Sequence, residues 1–202
     1  MGADAVDLDL AGAAAAVGRG EVIAVPTDTV YGLVCDPRRR DAVDRVYALK
    51  RRPAGLELTL LAASAADLAG LVAWNEPAMT LAARHWPGPL SLVLPVGEVR
   101  LAVPRSATTL SVRVPDHRAL LALLGETGPL ASTSANRHGE TPALTGPEVR
   151  VQFGAGVAVV AAGDGSRPGG MASTIIDCSV TPPRVLREGP IAGHGLAAPV
   201  PD

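Results

Sequence analysis

The chain has 202 residues, 48% of them hydrophobic, with 18 basic side chains against 20 acidic ones for a net charge of −2. This length fits one α/β domain with a core of its own, and the charge balance excludes a protein whose main work is coating nucleic acid or an anionic membrane. The acidic start (Asp4, Asp7, Asp9) does not read as a signal peptide, and no apolar run reaches the ~20 residues of a membrane helix. Cys35 and Cys178 stand far apart inside apolar segments, as buried free thiols in a reducing compartment would, and a cytoplasmic protein is expected.

Residues 8–17 are alanine-rich and expected to be helical, closed by Gly18 and Gly20. Residues 22–25 form a short apolar run suited to a strand buried on both faces, ended by Pro26, which cannot donate to a ladder. In the stretch that follows, Thr27 and Thr29 share a parity, and Gly32 allows a turn or a close approach. Small hydroxyls at the end of a buried strand suit the ligand crevice of an α/β sheet, although a strand–turn–strand connection with satisfied threonines reads the same way. Asp41 is expected to N-cap a helix that turns Ala42, Val43, Val46 and Leu49 inward, delivers Lys50 at its end and stops at Pro53.

Strands are expected at residues 58–62, 90–95, 110–114, 130–132, 157–162, 173–177 and 185–187, with helices at 67–72, 76–86 and 119–124. Ser111 and Arg113 share one parity, as do Ser132, Ser134 and Asn136. The glycine-rich residues 163–170 lack the Gly-Lys-Ser/Thr ending of a phosphate loop, and residues 193–202 read as a frayed tail beyond a domain of residues 1–192. His85, His117, His138 and His194 lack metal-ligand spacing and are expected at the surface; no metal site is expected on the protein. Asp116-His117 has no Gly-x-Ser-x-Gly elbow to accompany it, so a covalent nucleophile has no candidate. Lys50 is the only lysine, against 17 arginines, which hints that its position needs a compact ammonium and not a guanidinium fork. A basic helix end complementing the macrodipole is the ordinary alternative.

Taken in order, Pro26-Thr27-Asp28-Thr29-Val30-Tyr31-Gly32-Leu33, Lys50-Arg51-Arg52-Pro53, Ser132-Thr133-Ser134-Ala135-Asn136 and Ser173-Thr174-Ile175-Ile176-Asp177 resemble the YrdC family, the threonylcarbamoyl-adenylate synthases of tRNA modification. Trp86-Pro87-Gly88-Pro89-Leu90, Val112-Arg113-Val114-Pro115 and Leu186-Arg187-Glu188-Gly189 add to the match, which runs from about Val17 to Gly189. Each motif alone is weak; the ordered set is specific. The resemblance implies the short single-domain form: a twisted mixed α/β sheet with surrounding helices and a concave basic cavity.

It also implies a reaction joining L-threonine, bicarbonate or CO2, and ATP, with Mg2+ carried on the nucleotide. Lys50, Arg52, Ser134 and Asn136 would be catalytic. Thr27, Thr29, Tyr31, Arg113, Ser132 and Ser173 would bind threonine, and Thr109 and Arg187 would join the catalytic four around the nucleotide. The partners implied are tRNA threonylcarbamoyl-transfer proteins downstream and a weak contact with tRNA or double-stranded RNA. The chain departs from the family where Lys-x-Arg-Pro usually continues into a polar residue and Pro-Leu: Leu56 and Glu57 stand there, and Leu61 replaces a histidine of some members. A leucine cannot hydrogen-bond ATP, and Glu57 brings negative charge towards phosphates. Two alternatives follow: an RNA-binding module that makes no adenylate, and a paralogue forming a carbamoyl-adenylate.

Overall fold

Alternation of side chains along a strand lets one sheet bury one face and keep functional groups on the other, and the strands of this chain use that freedom. The computed structural model describes residues 7–51, 53, 57–99, 101–103, 108–160 and 169–192. Expectations for Arg52, Leu56, residues 163–168 and the tail 193–202 therefore lie outside the described residues. The strands are β1 (Asp7–Leu8), β2 (Ile23–Val25), β3 (Gly32–Cys35), β4 (Thr59–Leu61), β5 (Leu90–Pro95), β6 (Thr109–Arg113), β7 (Leu130–Ser134), β8 (Ala158–Val160), β9 (Thr174–Asp177) and β10 (Arg184–Arg187). The helices are α1 (Leu10–Gly18), α2 (Arg40–Lys50), α3 (Glu76–His85), α4 (Arg118–Thr127) and α5 (Gly146–Phe153).

All ten strands join one twisted mixed sheet, ordered β1-β8-β2-β3-β7-β4-β6-β5-β9-β10. One face packs Leu33, Leu60, Val112, Leu92 and Ile176 against α2, α3 and α5. The opposite face packs Ile23, Val34, Leu61 and Leu130 against α1 and α4. These two helices cover only one end of their face. Over the remainder the inward positions change from aliphatic to hydroxyl side chains, and no described helix lies there. The two buried thiols are unpaired, and burial pushes Cys35 up to about 12 and Cys178 to about 11, so both are inert at neutral pH.

Several local expectations change. Asp41 does not cap α2: Arg39 holds the N-cap position without a side-chain bond, and Asp41 sits in the first turn, where it accepts from Arg39 Nη2 at 2.9 Å. Residues 67–72 give only a 3-10 turn at Ala66–Leu68. His117 is buried, because its Nδ1 accepts the Leu120 amide (3.3 Å) as the N-cap of α4. Helix α5 and strand β1 were not anticipated. Helix α2 ends on Arg51 in the left-handed region (φ 51°, ψ 40°), a conformation that costs a Cβ-bearing residue about 1 kcal/mol or more. After the entropy of a more flexible unfolded chain is deducted, Arg51→Gly should raise stability by about 0.5 kcal/mol, a rise of 1–2 °C in Tm. Arg51→Ala should leave it unchanged; calorimetry of both variants is the check.

Candidate active site

Register brings the hydroxyls together. Thr59 of β4 pairs with Ser132 of β7 on one side and Ser111 of β6 on the other, and Gly32 pairs with Ser134. A Cβ on Gly32 would come within 3.2 Å of Ser132 Oγ, so a larger residue in this strand would have to push that hydroxyl aside. The uncovered face opens into a cavity of about 450 Å³, lined by Thr27, Thr29, Lys50, Glu57, Thr59, Ser91, Ser111, Arg113, Ser132, Ser134, Asn136, Ser173 and Arg187 among others. Of the charged side chains in the described lining, three are cations (Lys50, Arg113, Arg187) and one is a carboxylate (Glu57). Glu57 is held at the margin by the Thr109 hydroxyl, which donates to it at 2.9 Å.

At one end of the cavity Arg113 is almost wholly buried. Its Nε donates to the Gly88 carbonyl (3.0 Å), Nη1 to Thr29 Oγ1 (3.0 Å) and Nη2 to Asp28 Oδ1 (2.5 Å). Three of its five N–H groups are thus engaged by the described residues, which leave the other two for a ligand. Burial draws its pKa below the usual arginine range, with Asp28 opposing that shift. The Thr27 hydroxyl donates to the Val30 carbonyl at 2.7 Å, so its oxygen can only accept in its 3.0 Å contact with the Thr29 hydroxyl. Thr29 therefore sends its proton inward, takes a bond from Arg113, and offers the cavity a lone pair.

At the other end Lys50 is buried, not displayed on a helix tip. Its ammonium donates to the carbonyls of Ser134 (2.5 Å) and Asn136 (2.7 Å) and to Asn136 Oδ1 (3.1 Å). Asn136 Oδ1 also accepts from Ser134 Oγ (2.5 Å), while its Nδ2 donates to the carbonyls of Arg137 and Glu140. Lysine, serine and asparagine, 84 and 86 positions apart for the two long pairs, form one locked network. Along the rim, Arg187 donates from Nε to the Ser173 carbonyl (2.9 Å) and from Nη2 to Ser173 Oγ (3.1 Å). Desolvation and the Arg113 charge both draw its pKa down.

The structure thus gathers Thr27, Thr29, Lys50, Arg113, Ser132, Ser134, Asn136, Ser173 and Arg187 around one cavity. Two of the anticipated residues stand apart. Tyr31, expected there from the family resemblance, is buried in the core on the helix side of the sheet, beyond the turn that Thr27 makes. Thr109 does not line the cavity and spends its hydroxyl on Glu57. Ser91 and Thr59 line it without having been anticipated; Thr59 Oγ1 lies 3.0 Å from Ser111 Oγ. Among the described residues no three His, Cys, Asp or Glu side chains cluster to hold a metal ion, and no helix is long and apolar enough to cross a membrane.

Residues 15–189 match the sequence profile of the Sua5/YciO/YrdC proteins, described as "Telomere recombination". The chain belongs to this family. Within the Sua5/YciO/YrdC family it is 36% identical over 197 residues to the threonylcarbamoyl-AMP synthase of Bacillus subtilis, covering 95% of this chain and 56% of that one. To the threonylcarbamoyl-AMP synthase of Chromohalobacter salexigens it is 41% identical over 178 residues, covering 83% and 91%. Among solved structures it resembles P. abyssi Sua5 complexed with L-threonine (TM-score 0.80, 35% identity, 90% of this chain and 55% of that one). It also resembles E. coli YciO (TM-score 0.81, 26% identity, 94% and 92%). The chain thus spans just over half of the longer relatives and nearly all of the shorter ones.

Proposed function

We propose that this chain is a threonylcarbamoyl-AMP synthase, forming threonylcarbamoyl-adenylate and pyrophosphate from L-threonine, bicarbonate or CO2, and ATP for tRNA modification. The observation that carries the reading is a single cavity with a buried, half-engaged arginine at one end and cations and hydroxyls along its length. Threonine's amine adds to CO2 and loses a proton, giving a carbamate. A carbamate oxygen attacks the α-phosphorus of ATP, and the bond to pyrophosphate breaks. No protein nucleophile is required; what is required is alignment and positive charge where the anions meet.

In this reading the two remaining N–H groups of Arg113 take the amino-acid carboxylate as a fork. The outward lone pair of Thr29 suits an N–H or O–H donor on the substrate and not the carboxylate itself. Ser132 and Ser173 complete that end. Ser134 and Arg187 face the nucleotide, with Arg52 supplying further charge, and Lys50 and Asn136 hold Ser134 in place. ATP brings a divalent cation, which we take to be Mg2+, on its own phosphates. The adenylate passes on to the proteins that transfer the threonylcarbamoyl group to tRNA.

The deciding measurement is pyrophosphate release by the purified chain with ATP and Mg2+. Release should require both L-threonine and bicarbonate. A rate that is unchanged when threonine is left out would overturn the assignment and favour a carbamoyl-adenylate-forming or generic ATP-hydrolysing activity.

A further inference from the structure

Midway between the charged ends of the cavity stand two hydroxyls with no part in the chemistry above. Thr59 of β4 pairs with Ser111 of β6 on one side and with Ser132 of β7 on the other. Strand β4 runs parallel to β6 and antiparallel to β7, so Arg113 stands two residues from this row in one direction and Ser134 two residues in the other. At about 3.4 Å per residue, each end is about 7 Å from the row. Thr59 and Ser111 both line the cavity, and their hydroxyl oxygens lie 3.0 Å apart. Among the described residues neither side chain makes another hydrogen bond.

Two hydroxyls joined by one hydrogen bond keep one proton unspent, whichever of them donates. Ser111 is buried, so once a ligand displaces water that proton needs an acceptor on the ligand; left unsatisfied it is costly. An amino acid gripped by its carboxylate at Arg113 reaches a new carboxyl carbon on its nitrogen across one residue's length of backbone. That length is about 3.3–3.6 Å when extended, and the new carboxyl oxygens stand about 1.2 Å farther. They therefore arrive over the Thr59–Ser111 pair, short of Ser134. A carbamate oxygen accepts and cannot donate, which is what an unspent proton requires. The bond belongs on the oxygen that does not attack, because a proton on the attacking oxygen would hold the electron pair that must reach phosphorus. With one oxygen held in this way, the other is free to face the Ser134 end.

We infer that Thr59 and Ser111 are catalytic residues for the one-carbon half of the reaction, donating one hydrogen bond to the non-attacking oxygen of the carbamate. The inference rests on the threonine-dependent reading above. The carbon–nitrogen bond forms first, with loss of the amine proton. The second carbamate oxygen then bonds to the α-phosphorus as the bond to pyrophosphate breaks. The hydroxyl proton stays on its own oxygen throughout and remains bonded to what becomes the carbonyl oxygen of the adenylate. The acceptor is charged, so losing this donor should cost about tenfold to a hundredfold in apparent affinity for the one-carbon substrate.

The test is steady-state pyrophosphate release by the full chain, with bicarbonate varied at saturating threonine and ATP. Calorimetric binding of threonine alone and a thermal melt accompany it. The double variant Thr59→Val/Ser111→Ala removes both hydroxyls and strands neither, so its Tm should stay close to that of the unaltered protein. Its KM for bicarbonate should rise by the factor above, while its Kd for threonine stays the same. Thr59→Ser, which keeps both hydroxyls, should avoid most of that rise. If the double variant does not fold, Thr59→Val alone should show the same pattern at smaller size. An unchanged KM for bicarbonate, or a threonine Kd weakened by the same factor, overturns the role of the pair and leaves the synthase reading standing. Absence of bicarbonate-dependent release by the unaltered protein overturns both.

Discussion

Arg113→Ala is expected to lower kcat/KM for threonine by two to three orders of magnitude and to lower stability by about 3–5 kcal/mol, roughly 10 °C in Tm. The two losses have separate causes. The first is removal of the forked contact that the proposed function assigns to the substrate carboxylate, made by an almost wholly buried guanidinium. The second is what remains behind: Asp28 sits with its other oxygen, Oδ2, buried and without a hydrogen bond among the described residues, so Arg113 is its principal compensation. Breaking one member of a buried pair strands the other charge, whereas removing both is far less costly. The double variant Asp28→Asn/Arg113→Met should therefore recover most of the Tm and none of the activity. Thermal melts and initial rates on the three proteins separate the effects. If Arg113→Ala melted with the unaltered protein, the ion pair would contribute nothing to the fold; if KM for threonine were unchanged, the carboxylate would bind elsewhere.

How far such a site can be read from sequence depends on which residues fold locally. Chain-order periodicity located the main strands and helices α1 to α4, and the parities of Ser132, Ser134 and Asn136 and of Ser111 and Arg113 were visible within single strands. Which strands lie side by side is not a local property. That Thr59 of β4 links Ser132 of β7 to Ser111 of β6 depends on a strand order in which β4 lies between them. Ser91, inside the apolar strand of residues 90–95, was not singled out for the same reason. Tyr31 shows a different limit: a shared motif names a residue without saying which way it faces, and here Thr27 Oγ1 collects the amides of Thr29 and Val30 into a turn ahead of it. Helix α5 did carry a local signal. Thr145 Oγ1 accepts the Glu148 amide and Glu148 accepts the Leu144 amide, a Thr-x-x-Glu start that its weak apolar period concealed.

Lys50 is where structure most changes what a substitution should do. From sequence it is a helix-end cation whose loss would cost the fold only ~0.3–1 kcal/mol through the helix dipole. In the fold it is buried, its ammonium donates to three protein oxygens, and the carbonyl of the same residue accepts the His138 amide at 2.9 Å. Lys50→Ala therefore leaves Ser134 O, Asn136 O and Asn136 Oδ1 short of a charged donor and opens space behind them. A loss of about 3 kcal/mol or more is expected, 6 °C or beyond in Tm. Lys50→Arg keeps the charge but replaces a tetrahedral donor by a planar fork too large for the same space. It should displace Asn136, and Ser134 with it, by perhaps ~1 Å, an error that can cost on the order of a hundredfold in kcat. Lys50→Met, which keeps the stem, should be more stable than the alanine variant and equally inactive. Arg51→Ala, on the exposed side of the helix end, should match the unaltered protein in both measurements. Full activity in Lys50→Arg would mean that the ammonium network does not hold Ser134 in place, and that the single lysine of the chain is an accident of composition.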